Sequence, residues 1–151
     1  MIPKLVHQTA PSKALSFEEH RLVGRATRLL PDWHFTLWDD ADNRQLMAEH
    51  FPELIGAYDG LRRGVVRADI ARCAYLHVHG GFYFDTDYKL LRPFDAELLL
   101  ARCLLPVSRH DDLGDPGFRV CNSIMASEPG YPLWRDFIHH VLAHGGIDTL
   151  A

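Results

Sequence analysis

Two short stretches of the chain place a pair of carboxylates one residue apart: Asp40-Ala41-Asp42 and Asp85-Thr86-Asp87. Such a pair is a hard-oxygen donor set, suited to Mg²⁺ or Mn²⁺, which keep open positions for waters and substrate phosphates. If the backbone stays extended through Asp85-Thr86-Asp87, side chains i and i+2 share a face, and Asp85 and Asp87 converge on one spot. The two copies differ in what surrounds them. Asp40 and Asp42 open an expected helix, where carboxylates favour the positive end of the helix dipole and need no ligand. Asp85 and Asp87 follow Gly80-Gly81 and the aromatic run Phe82-Tyr83-Phe84. For that copy, metal binding stands beside the ordinary reading of a strand-end cap or turn.

A second charged pair lies just upstream. On a wheel of 3.6 residues per turn, Val65, Asp69, Arg72 and Leu76 share one stripe of a helix expected over Val65–Val78, beside a stripe of Val66, Ile70, Cys73 and His77. An Asp–Arg pair in so apolar a helix costs free energy unless it is well hydrogen-bonded. It is either an internal salt bridge stapling helix to strand, or a pair aimed into the same cleft as the aspartates. In the cleft, Asp69 would accept from sugar hydroxyls and Arg72 would meet hydroxyl or phosphate oxygens.

The elements that would position these groups alternate between strand and helix. Lys4–His7 reads as a first buried strand. Ser16 and Glu19 have capping-box spacing ahead of a helix over about Phe17–Leu30, stopped by Pro31. Trp33–Trp38 is a second strand, and Asp39 and Asp40 cap a helix over about Ala41–His50. Pro52 opens another short helix. Gly80-Gly81 ends the helix over Val65–Val78 and leads into the strand Phe82–Phe84. Leu90-Leu91, Leu104–Val107 and Val120–Met125 are further strand candidates, His110–Gly117 is a turn-rich loop, and Pro132–His144 is the last helix. This order predicts a single α/β domain over residues 1–151, with a mostly parallel central sheet whose ligands sit beyond the carboxyl ends of the strands.

Composition narrows the function classes. The chain has 151 residues, 47% of them hydrophobic and 24% charged, with a net charge of −4. No basic surface for nucleic acid is implied. Arginine supplies most of the positive charge, since Lys4, Lys13 and Lys89 are the only lysines. Cys73, Cys103 and Cys121 are odd in number and far apart, which fits neither a disulfide framework nor a zinc site. The expected home is a reducing, cytoplasmic compartment, or the inner face of a membrane, since no apolar run reaches the ~20 residues of a transmembrane span. The histidines His77, His79, His139, His140 and His144 lack a supporting third ligand and read as core or helix-surface residues. Phe82, Tyr83 and Phe84 read as core.

Taken together, Arg67-Ala68-Asp69-Ile70-Ala71-Arg72, Leu76 and Gly80-Gly81-Phe82-Tyr83-Phe84-Asp85-Thr86-Asp87 resemble the DXD-containing sugar-transferase family. That family takes in yeast initiating mannosyltransferases, capsular polysaccharide transferases and, more distantly, clostridial glucosylating toxins. Ile2–Gln8 and Trp33–Asp40 resemble its first two strands, and Asn122–Pro132 a later, looser segment. The resemblance implies a GT-A-like, Rossmann-like fold, a UDP- or GDP-sugar donor, a saccharide or other acceptor, Mn²⁺ or Mg²⁺, and retaining transfer. By family role, Asp87 would ligate the metal directly, and Asp85 would touch metal, ribose or sugar. Asp69 and Arg72 would hold the donor sugar, and Asn122 would approach the sugar or acceptor. His7, Gln8, Thr9, Trp38 and Asp39 would lie near the base and ribose. Members usually continue past the segment matching Gly145–Thr149, so the expected cleft lacks its C-terminal part and its apolar edge would favour self-association. Two alternatives stand beside this reading. One is a phosphohydrolase of the haloacid-dehalogenase type, with Asp85 as nucleophile, Asp87 as acid and Asp111-Asp112 as the late acidic motif, although Tyr88-Lys89 replaces the usual Gly-Thr. The other is a sugar-nucleotide-binding module incomplete for catalysis.

Overall fold

The computed structural model describes residues 1–109 and 118–144. The expected loop His110–Gly117, with Asp111-Asp112, and the segment from Gly145 onward lie outside the described residues. The first strand, β1 (Leu5–Thr9), leads to helix α1 (Phe17–Leu29), and β2 (His34–Trp38) leads to α2 (Asp40–His50). Both helices start on capping boxes. Ser16 Oγ accepts from the Glu19 amide while the Glu19 carboxylate accepts from the Ser16 amide, and Asp39 and Asp42 make the same exchange. Each box satisfies two of the amides that a helix start leaves unpaired. Asp42 of the first D-x-D is therefore spent on its own helix, and Lys13 neutralises it at 3.0 Å.

A 3₁₀ turn at Pro52–Leu54 precedes α3 (Ile55–Asp59), then α4 (Gly64–Val78) and β3 (Gly81–Phe84). The glycines between α4 and β3 are required by space. Gly80 and Gly81 have φ of +66° and +100°, which side chains disfavour. A Cβ on Gly80 would stand 2.6 Å from the Pro129 nitrogen, and one on Gly81 2.7 Å from the Leu5 carbonyl oxygen.

After a second 3₁₀ turn, Ala96–Leu100, come β4 (Cys103–Leu104), β5 (Val107–Arg109), β6 (Phe118–Val120), β7 (Ile124–Ser127) and α5 (Pro132–His144). Three expected strands differ. Leu90-Leu91 forms no ladder; the two carbonyls accept instead from the Arg25 guanidinium, at 2.7 and 3.3 Å. Leu104–Val107 is divided between β4 and β5, with Pro106, which has no amide to donate, at the break. Val120–Met125 is divided between β6 and β7, and at the interruption the Ser123 carbonyl accepts from the Asp85 amide at 3.0 Å.

The main sheet has the order β2-β1-β3-β7-β4. β1 pairs in parallel with both β2 and β3, while β7 pairs antiparallel with β3 and with β4. Among the described residues β7 is thus the one reversed strand of this sheet; β5 and β6 form a separate antiparallel ribbon. Successive strand residues face opposite layers. Val6 and Phe84 pack with Ala26 and Leu30 of α1, whereas Tyr83 and Met125 pack with α2, α4 and α5. β3, buried at every position, is covered on both faces.

Candidate active site

Because β1, β2 and β3 run in parallel, their carboxyl ends share one edge of the sheet. A cleft of about 460 Å³ opens there. Thr9 and Pro11 enter it after β1, Asp40 after β2, and Asp85, Thr86 and Asp87 after β3. The chain goes from β1 to β2 on one side and later to β3 on the other, so the cleft lies at the point where strand order reverses, where such sheets bind ligands. Glu19 of α1, Asp40 of α2 and Gly64, Val65, Ala68 and Arg72 of α4 also line it. α4 has no side-chain cap, unlike α1 and α2. Among the described residues the Gly64 and Val65 amides have no partner, while the Val66 amide donates to the Arg63 carbonyl at 3.1 Å, and Gly64 adds no side chain in front of them.

Arg72 is the hub. Its side chain is 8% exposed. Nη2 lies 3.0 Å from Asp69 Oδ1, and Nη1 lies 3.4 Å from Asp85 Oδ1 and donates to the Asn122 carbonyl at 2.8 Å. The guanidinium sits over the Tyr83 ring, 4.6 Å from its centre. Its Nε is buried without a partner among the described residues. Asn122 Nδ2 donates to the same Asp69 oxygen at 3.1 Å, leaving Asp69 Oδ2 free among the described residues. Burial pushes the Asp69 carboxyl up, and Arg72 and Asn122 oppose that shift. The Tyr83 hydroxyl donates to Asp85 Oδ1 at 2.6 Å, and burial pushes this phenol up also, so it stays a donor at neutral pH.

The motif itself is a turn. The Tyr88 amide donates to the Asp85 carbonyl at 3.0 Å, so Thr86 and Asp87 turn away where an extended run would have aligned the two aspartates. Asp87 is exposed and its carboxylate has no partner among the described residues. Thr86 is buried, and its hydroxyl donates to Glu19 at 2.7 Å. That bond and the bond from the Ser16 amide hold the Glu19 carboxyl below its usual range. The donor chemistry fits a hard divalent ion: Asp87 is wholly available, and Asp85 keeps Oδ2 clear of Tyr83 and Arg72. No group of three or more His, Cys, Asp or Glu side chains placed to hold an ion occurs among the described residues. Two carboxylates leave most of an octahedral shell to phosphate and water.

Of the residues expected around base and ribose, Thr9 reaches the cleft. Gln8 is buried beneath it, its amide 3.5 Å from the Asp85 carbonyl. The other three are not brought there. His7 is buried on the α4 side of the sheet, with Nε2 2.9 Å from the Gly80 carbonyl and Nδ1 accepting from Trp38 Nε1. Nδ1 is the acceptor, so Nε2 carries the proton. Trp38 stacks on Tyr75 at 4.7 Å, and Asp39 is the cap of α2. Sequence reasoning left out Tyr83, Glu19, Thr86 and Asp40. Strand alternation could have found Tyr83, two residues before Asp85; the Glu19–Thr86 bond spans 67 residues and leaves no local trace.

An α/β/α sandwich with paired carboxylates at its switch point belongs to the doubly wound class, which binds ligands at that edge. Comparison carries this further. The family described as "Glycosyltransferase sugar-binding region containing DXD motif" matches residues 16–104, and the chain belongs to it. It is similar to inositol phosphoceramide mannosyltransferase 2 of Schizosaccharomyces pombe, 28% identical over 141 residues covering 93% of the chain and 39% of that protein. Mannosyl phosphorylinositol ceramide synthase SUR1 of Saccharomyces cerevisiae is 31% identical over 136 residues, 89% of the chain and 33% of that protein. The chain thus spans well under half the length of these relatives. The solved PaToxG glycosyltransferase shares the fold with a TM-score of 0.70 at 16% identity, over 95% of this chain and 61% of that one. Family membership sets aside the phosphohydrolase alternative.

Proposed function

We propose that the cleft binds a UDP- or GDP-sugar together with Mn²⁺ or Mg²⁺, and that the chain is the donor-binding part of a retaining, metal-dependent glycosyltransferase. The observation that carries this is the Arg72 hub, which ties Asp69 and Asp85 to one guanidinium beside the exposed Asp87. Asp87 and Asp85 would hold the ion, which when bound supplies charge neutralisation for the departing diphosphate. The uncapped start of α4 faces the same space and suits phosphate oxygens. Asp69 and Asn122 line a neighbouring hollow of about 540 Å³ and not the cleft itself, so they would meet the hydroxyls of a sugar that extends past Arg72, with Thr9 toward the ribose. Arg72 pairs with Asp69 and Asp85 and donates to the Asn122 carbonyl, so it aims both carboxylates. A mannosyl donor and an inositol phosphoceramide acceptor are the first pair to try, because the names of the relatives specify them. Thermal denaturation with UDP-sugars and GDP-sugars, each with and without Mn²⁺, tests the reading. A nucleotide at 100 times its Kd adds about 2.7 kcal/mol. Stabilisation is expected with metal and nucleotide together; equal stabilisation by nucleotide alone would contradict it.

A further inference from the structure

We infer that Glu19 and Thr86 form a clasp that fixes the turn setting Asp87 relative to Asp85, making the first turn of α1 part of the donor-binding machinery; this rests on the reading of the cleft given above. Asp85 is held at every polar group but one oxygen: Tyr83 and Arg72 on its carboxylate, the Ser123 carbonyl on its amide, and the Tyr88 amide and Gln8 side chain on its carbonyl. Asp87 has no such support, and the backbone bond from Tyr88 to Asp85 closes the turn without fixing its tip. The one side-chain bond to the middle of the turn, among the described residues, runs from Thr86 Oγ1 to Glu19 Oε1 at 2.7 Å. The far end of the clasp is itself anchored. Glu19 Oε2 accepts from the Ser16 amide at 2.9 Å, and the Glu19 amide donates to Ser16 Oγ at 3.2 Å.

A capping box needs a single oxygen from its glutamate. Here the second oxygen crosses to the motif, and both residues line the cleft that holds Asp85 and Asp87. Thr86 stands between the two aspartates, so rotation of its peptide planes changes their separation. Burying its methyl and bonding its hydroxyl removes that freedom. Groups that orient ligating side chains from behind commonly change metal affinity about 10- to 100-fold when removed. Glu19 and Thr86 are positioning residues in this sense.

The test is calorimetric binding of GDP and UDP in Mn²⁺, with free Mn²⁺ followed by electron paramagnetic resonance and melting temperature measured on the same samples. Thr86→Val removes the hydroxyl and leaves the capping box intact. It is expected to weaken metal–nucleotide binding at least tenfold while melting within a few degrees of wild type, on the scale of such orienting contacts. Thr86→Ser restores the hydroxyl, and Glu19→Gln keeps both bonds with the hydroxyl turned to accept. Both are expected to bind within about threefold of wild type. Ser16→Ala removes the hydroxyl half of the cap but keeps the amide that holds Glu19 Oε2, and should lower stability without changing affinity. Wild-type affinity in Thr86→Val, or an equal loss in Ser16→Ala, would overturn the clasp and leave the donor reading standing. A wild-type protein that binds neither nucleotide in Mn²⁺ would overturn both.

Discussion

Arg72 and Asp69 are three residues apart on one helix, yet they meet different fates. Arg72 is buried among Asp69, Asp85, the Asn122 carbonyl and the Tyr83 ring, whereas the Asp69 side chain is 39% exposed and holds an unused oxygen. Arg72→Met would leave the Asn122 carbonyl unpaired and two part-exposed carboxylates without their cation, and should cost about 1–3 kcal/mol in urea unfolding. Asp69→Asn should unfold much like wild type but bind a sugar nucleotide less well than the plain nucleoside diphosphate. Equal weakening of the two ligands would remove Asp69 from the sugar. His7 makes a prediction in pH. Burial lowers its pKa from 6.5 to about 4, outweighing the Gly80 carbonyl, which favours the protonated ring. The folded pKa lies below the unfolded one, so this stability is present above pH 6.5 and is lost as pH falls toward 4. The loss should reach about 2 kcal/mol at pH 5 relative to pH 7.5, and His7→Gln should flatten it. His79, also lowered by burial, adds in the same direction. A wild-type unfolding free energy level from pH 7.5 to 5 would show that His7 is not held neutral.

At the scale of elements, the α4–β3 junction sets the site, because it delivers Arg72 and Asp85 from consecutive elements. Gly81→Ala meets the backbone of the neighbouring strand at Leu5 and a φ of +100°. Gly130→Ala has a φ of +73° but open space around its Cβ. The Gly130 change should cost about 1–2 kcal/mol, the ordinary penalty of a left-handed residue, and Gly81→Ala clearly more, measured by the same denaturation. A reversed order would mean that close packing against Leu5 is not what demands glycine there. Much of this level was legible in the sequence. Capping-box spacing marked the start of α1, a capping aspartate the start of α2, and Gly80-Gly81 the end of α4, since each depends on residues a few positions apart; the Asp39–Asp42 box itself was not read. The expected strands at Leu90-Leu91 and through Val120–Met125 misled because their backbone groups pair with Arg25 and Asp85, partners that hydrophobic pattern does not encode.

On the scale of the whole molecule, parallel strands on either side of β1 bring Thr9, Asp40 and Asp85 to one edge from positions far apart in the chain. The two D-x-D copies differ in context, as their sequence surroundings indicate: the first starts a helix, with Asp42 engaged in its cap and Asp40 at the cleft, and the second follows a strand buried at every position. What the sequence did not disclose is how the second copy is held. Its turn geometry, the Tyr83 and Glu19 contacts and the Asn122 carbonyl are tertiary, and no local spacing records them. Among the described residues the cleft is rich in carboxylates, Glu19, Asp40, Asp85 and Asp87, against the one guanidinium of Arg72. Bare diphosphate should therefore be repelled, and the metal should be required for binding. Calorimetric titration of GDP and UDP into wild type, Asp87→Ala and Asp42→Ala, each with Mn²⁺ and with chelator, tests this most directly. Binding is expected in Mn²⁺ for wild type and for Asp42→Ala, and none for Asp87→Ala or for any protein in chelator. Equal loss in the two mutants, or undiminished binding in chelator, would contradict the assignment of Asp85-Thr86-Asp87 as the metal–diphosphate site.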